Sequence, residues 1–270
     1  MDLNAIKSKL NALQSQKQGG GQKRDMSLII WKPTVGKHSI RVVPTAHPHL
    51  FLEHEIKPFK EMHVHYGIGN RTMVSPTNFG EKDPIVEFAK QLRQSSDKEN
   101  WQLAKKLDAK VRVFAPVVVR GEEEKGVRLW EFGKQVYQEL LAIAEDEDVG
   151  DYSDPMTGRD ITVETTDGAA NGTGFNQSKV RVRTKTTPLS DDAAEVKKWL
   201  AEQPDPMTIF KKYSYEEMKE SLLEWLNPEE AADEPAAPAA PVVEAKPAYA
   251  LNTKKTNVDD EFDALFNIKK

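Results

Sequence analysis

Cysteine is missing from all 270 residues, and its absence excludes a disulfide framework, a thiolate nucleophile and a cysteine-based zinc site. Long apolar runs are missing too. Nothing approaches the roughly 20 residues needed to cross a bilayer, and the first residues lack the apolar stretch of a secretory signal. A soluble, cytoplasmic protein without a membrane partner is expected. Catalytic spacing is equally thin. The six histidines stand at positions 38, 47, 49, 54, 63 and 65, and no HExxH pair occurs. Neither Gly19 to Gly21 nor Gly168 to Gly174 matches the phosphate-binding pattern GxxxxGK(S/T). The carboxylate run from Glu145 to Asp151 lacks calcium-loop spacing. It leaves a carboxylate-metal nuclease built on Asp146, Asp148 and Asp151 as a rival reading. A solvated helix end explains the run better, so neither a catalytic residue nor a cofactor is expected.

What is present begins with 38% hydrophobic residues, enough for a core, and a net charge of −5 that is unevenly spread. Residues 1–120 hold 20 basic and 11 acidic side chains, whereas residues 121–270 hold 18 and 32. Such polarity suggests a region for a polyanion and an acidic region able to compete for it, although chance clustering on solvated surfaces would look the same. Leu3, Ile6, Leu10 and Leu13 recur at helical spacing, followed by a Gln/Gly/Lys-rich connector from Gln16 to Lys23. Residues 1–25 therefore read as a helical arm that can pack on its own domain or on a neighbour.

Strand patterns fall at 28–31, 39–43, 49–56, 111–119, 127–132, 161–166 and 179–186. Helical patterns fall at 84–92, opened by Asp83 and Pro84, and at 100–107, 135–144, 193–201 and 215–226. The first two helices look like an insertion between strands. Tyr215, Met218, Leu222 and Trp225 make one apolar stripe, read as core. Beyond Asn227 the sequence turns to Ala, Pro, Glu and Val, which cannot bury enough surface to fold. Residues 228–270 are thus expected to be a disordered linker and acidic tail. Its tip, from Val258 to Phe266, sets bulky apolar side chains among carboxylates, a composition suited to a basic, hydrophobic groove; a merely solubilising tail is the plainer reading.

Single-stranded nucleic acid is gripped by cations along its phosphates and by aromatic faces on which bases stack. The chain interleaves both types: Arg41; His63, His65 and Tyr66; Lys105, Lys106, Lys110, Arg112 and Phe114; Trp130, Phe132 and Lys134; Phe175, Lys179, Arg181, Arg183 and Lys185. From Lys179 to Lys185 a period of two places four cations on one strand face, with Val180, Val182 and Thr184 on the other. This is the most specific single signal, because a solvated outer strand usually intersperses glutamates. The readings that compete with DNA are an RNA-binding module, since stacking does not exclude the 2′-hydroxyl, and an adaptor whose acidic tail does the only binding.

The order of several short segments resembles the helix-destabilising single-stranded DNA-binding protein family of T-even-like bacteriophages. They are Trp31-Lys32, Gly36 to Pro44, Val117 to Val119, Trp130 to Tyr137, Gly174-Phe175 and Asp259 to Phe266. The resemblance implies a mainly β fold with α, an oligonucleotide-binding (OB-fold) barrel in residues 26–227 with an inserted helical subdomain at about 60–110. It implies sequence-independent binding to single-stranded DNA in replication, recombination and repair, in the cytoplasm of an infected bacterial host. It further implies self-association along DNA through Lys7, Ser8, Lys9 and Leu10, with Lys105-Lys106 in the region of a second such cluster. The tail residues Asp259, Asp260, Phe262, Asp263, Leu265 and Phe266 would recruit phage replication proteins, namely polymerase, helicase loader and recombination factors, and gate the cleft. The family's structural zinc, held by one histidine and three cysteines, is not expected here. Only His65 matches; Ser75 lies near one cysteine position, and Asp83 to Val86 stands where two others would be. Ile85, Phe88, Ala89 and Leu92 would then hold the subdomain by apolar contact.

Overall fold

A computed structural model describes residues 26–69, 71–227, 262, 265 and 266. The predicted arm, with Lys7, Ser8, Lys9 and Leu10, lies outside the described residues, as do Asp259, Asp260 and Asp263 of the tail. The described chain is a mixed α+β fold dominated by one eight-stranded sheet. Its strands are β1 (Ile30–Trp31), β2 (Gly36–Val42), β3 (Lys60–Ile68), β4 (Arg71–Val74), β5 (Lys110–Val119), β6 (Arg128–Phe132), β7 (Arg159–Thr166) and β8 (Gln177–Thr186). Five helices are described: α1 (Pro84–Leu92), α2 (Lys98–Leu107), α3 (Lys134–Glu145), α4 (Ala193–Ala201) and α5 (Tyr215–Leu226).

The strands run β1-β6-β5-β2-β7-β8, and the hairpin β3–β4 joins through β5. One edge of β5 is shared: Lys110 to Phe114 pair with β3, and Val117 to Val119 pair with β2. Its other edge pairs with β6. Because β5 is covered on both faces, its apolar residues run almost without interruption. Val113, Ala115, Val117 and Val119 enter a core with Ile40, Val42, Trp130, Phe132, Ile161 and Val163, closed by Val136, Tyr137 and Leu140 of α3. On the opposite face Phe114 packs with Met62, Val64 and Leu129, and Val118 packs with Val43, Leu189 and Trp199.

A second apolar layer is helical. In α1 the spacing Ile85, Phe88, Ala89, Leu92 gives one face, and in α2 the residues Leu103, Ala104 and Leu107 give another. Together with Met218 and Leu222 of α5 they bury Ile68 and Met73. Asp83 caps α1, its Oδ1 accepting from the backbone N–H of Ile85 (2.9 Å) and Val86 (3.1 Å), as the sequence predicts.

The expected strand over 49–56 does not form. Pro48–Leu50 is a 3-10 helix, and Glu55 turns inward, accepting from Leu52 N–H at 2.6 Å and from the Lys60 ammonium at 2.9 and 2.8 Å. That local buried pair folds the chain back, and Leu52 and Ile56 face outward. Strands β3 and β4 stand where no strand was assigned. The reason is that β3 buries Lys60 and His65 through polar partners, so its apolar alternation is broken.

Candidate nucleic-acid interface

The hairpin β3–β4 sorts its side chains by strand parity. Val64 opposite Val74 and Tyr66 opposite Thr72 point to one side, while His65 opposite Met73 points to the other. A bulge between Tyr66 and Ile68 inserts Gly67, whose φ of 75° only glycine adopts without strain. Beyond it Ile68 joins the helical layer while Tyr66 stays on the open side. There a cleft of about 550 Å³ opens, lined by Trp31, Lys32 and Thr34 ahead of β2, His38 of β2, Tyr66 and Thr72 of the hairpin, and Arg128 and Glu131 of β6, with Phe210.

Aromatic rings in the cleft wall hold one another, with Trp31 itself buried. Trp31 meets His38 and Trp130 edge-on, each at 5.7 Å between centroids. Tyr66 is 41% exposed and donates its hydroxyl to Glu131 Oε1 at 3.0 Å, the oxygen that also accepts from Arg112 Nε at 2.9 Å. Burial first, and then the Glu131 charge, push the Tyr66 hydroxyl pKa well up, so the ring stays a neutral phenol that does not repel phosphate. Arg128 donates to Glu122 Oε2 at 2.7 Å, while its buried Nε has no partner. Hydrogen bonds from Lys125 and then Arg128 hold Glu122 below the usual carboxylate range.

The residues expected from sequence separate into three groups. In the first, Tyr66 and Arg112 come together at the cleft through Glu131, a residue not expected from sequence, and Phe114 contributes to its floor. The second is a basic row on β8, whose Lys179, Arg181, Arg183 and Lys185 are exposed while Val180 and Val182 turn towards the core. Register across the sheet aligns Lys37 with Glu164 and Glu164 with Lys179, and His38 with Val163 and Val180. Lys179 and Arg181 therefore share the face of Lys37, opposite to His38, while Arg183 and Lys185 lie beyond a register shift, and none of the four lines the cleft. Phe175, 64% exposed, lies just before this strand. Lys105, Lys106, Lys110 and Lys134 are exposed outside the cleft lining.

The third group is corrected by burial. Arg41 is 0% exposed; its guanidinium donates to Asp154 O at 3.0 Å, to Thr187 O at 2.6 Å and towards Asp160 at 3.5 Å. These partners occupy it inside the protein, where no phosphate reaches. Trp130 and Phe132 are core rings packed on each other, and Phe114 is buried against Phe210, so none of the three offers a free face. His65 is buried on the helical-layer side, Nδ1 to Leu107 O and Nε2 to Asp83 Oδ2, both at 3.0 Å. His63 shares that side and is exposed there, away from the cleft.

Sequence reasoning missed Trp31, Lys32, His38, Arg128 and Phe210 as interface residues. Trp31-Lys32 was in view as a motif; the pairing of β1 with β6, which brings Trp31 opposite Trp130, is a long-range event no local pattern encodes.

The chain does not fit the structural zinc that the family resemblance implies. Cysteine is absent, and among the described residues no group of three or more histidines and carboxylates is placed to hold a metal. In that place Ser75 and His65 both bond the Asp83 carboxylate. Two carboxylates of the nuclease trio are engaged in turns: Asp146 accepts from Asp148 N–H at 3.0 Å, and Asp151 accepts from Ser153 N–H at 2.9 Å.

A comparison with curated proteins gives no match. The family model described as "gp32 DNA binding protein like" matches residues 35–228, which take in β2 to β8 and α1 to α5 but not β1, Lys32 or Thr34 of the cleft. On that match the chain belongs to the gp32-like family of DNA-binding proteins.

Proposed function

We propose that the protein is a non-enzymatic, sequence-independent and cooperative single-stranded DNA-binding protein, serving phage replication, recombination and repair in the cytoplasm of an infected bacterial host. Family membership supports single-stranded DNA binding. The observation that carries the mechanism is the cleft in which exposed Tyr66 stands with half-buried His38 and Phe210 beside exposed Lys32. Unpaired bases enter and stack on Tyr66 and its neighbours, while Lys32 at the rim neutralises phosphate; the β8 row, on the other face, would meet phosphate only beyond the cleft. A duplex keeps its bases stacked on one another and cannot offer them, so the preference for single strands follows from access. Residues 26–227 are read as the oligonucleotide-binding barrel with its inserted subdomain, and residues 1–25 as the arm that links protomers on DNA.

The test is quenching of the five tryptophans by poly(dT), compared with duplex DNA and with poly(U), across a salt series. The expected result is strong quenching by poly(dT), a weak duplex response and affinity falling steeply with salt. Equal response to poly(U) would shift the reading to RNA, and silence towards all three would remove it.

A further inference from the structure

The three described residues of the tail, Phe262, Leu265 and Phe266, do not lie at the basic row or in the cleft. They pack on the helical layer. Phe262 is 2% exposed, its ring edge-on to Phe88 of α1 at 5.4 Å and 4.5 Å from Phe266. Phe266 meets Tyr215 of α5 at 6.3 Å, and the Lys219 ammonium sits 4.8 Å over its ring. The spacing 262, 265, 266 is that of one helical face, and all three contribute to the apolar cluster of α1, α2 and α5. We propose that the groove between α1 and α5 is a docking site for this chain's own C-terminal residues Phe262, Leu265 and Phe266, an aromatic latch engaged in cis.

The occupant follows from the chain itself. Residues 228–261 separate α5 from Phe262, and the tail returns to the helix from which it departs. A tether of that kind gives an effective concentration on the order of 1 mM, so an intrinsic affinity as weak as about 0.1 mM still leaves the docked form ahead by about tenfold. The groove suits the occupant chemically. Phe88 supplies a buried ring wall, Tyr215 an outer one, and Lys219 a cation for an aromatic face flanked in sequence by carboxylates. A partner that recognises those aromatics has to extract them first. The latch uses none of the residues that line the cleft, so its test does not rest on DNA binding.

The absence of native cysteine allows a single dye at Asn267→Cys in the full chain. Dye anisotropy and amide hydrogen exchange are then compared with and without Phe262→Asp. Docking predicts that the substitution lowers the anisotropy and speeds exchange in α1 and α5 by at least about tenfold, leaving β5 to β7 unchanged. Phe266→Ala, at the half-buried edge, should give a smaller change of the same sign and guards against simple unfolding by Phe262→Asp. Unchanged anisotropy and exchange in both variants would overturn the proposal. So would an anisotropy that falls on hundredfold dilution of the unsubstituted chain, which would assign the groove to a neighbour's tail.

Discussion

At the scale of residues, two side chains of adjacent register on one hairpin have opposite tasks. Tyr66 faces the cleft with its hydroxyl tied to Glu131. Tyr66→Ala should weaken poly(dT) binding by about 1–3 kcal/mol, the worth of one stacked base. Tyr66→Phe, which keeps the ring, should stay close to the unsubstituted protein in the same titration. His65 points the other way, into a cluster with Asp83 and Ser75. Burial drives the Asp83 pKa up, but hydrogen bonds from His65, Ser75 and the start of α1 outweigh it and leave the carboxyl below its ordinary value. A depressed carboxylate stabilises the fold above its unfolded-state pKa, and that stability is lost as the pH falls through the folded one. Thermal melts should therefore show an acid-side loss of stability that Asp83→Asn reduces. At neutral pH the same substitution should cost about 1–3 kcal/mol, because an amide replaces the buried carboxylate that bonds both His65 and Ser75, although asparagine can still cap α1.

At the scale of elements, β8 is where sequence and structure agree most closely. A period of two needs only local backbone geometry, so outward Lys179 and Arg181 against inward Val180 and Val182 are legible from the chain alone, whereas a register shift opposite Arg159 and Ile161 leaves Arg183, Thr184 and Lys185 all exposed. The helices at 193–201 and 215–226 were equally legible, since caps and apolar spacing lie within each segment. The cleft was not. It depends on β1 meeting β6 and on a bulge at Gly67, both set by tertiary pairing. Arg41 looked like a surface cation because nothing nearby in sequence reveals Asp160 and Thr187 as its partners. The strand order gives β8 one paired edge, and lysine or arginine on such an edge also deters pairing with other chains. The two roles differ in salt dependence. If the row contacts phosphate, Arg181→Ala and Arg183→Ala should each shallow the salt slope for poly(dT) by about 0.7 for each contact removed. A row serving only to guard the edge would leave the slope unchanged.

At the scale of the whole molecule, charge and packing divide the tail's two influences. Residues 228–270 hold nine acidic and five basic side chains, so truncation after Asn227 should raise poly(dT) affinity at low salt. The gain should shrink as ionic strength passes about 0.1 M, where screening reaches about 10 Å. The same truncation removes Phe262 from the helical layer, and α1 and α5 should exchange faster at every salt concentration. The hairpin β3–β4 stands between the two events. Val64, Tyr66, Thr72 and Val74 face the cleft side, while His65, Met73 and Ile68 face the helices that hold the tail. Gly69 at its turn lies against Ser221 of α5, with room for a Cβ no nearer than 3.5 Å. The hairpin is thus a partition with a room on each side, one strand pair thick. A shift of it that favoured DNA and altered the seat of the tail would, by reciprocity, let the tail tune DNA by an equal free energy.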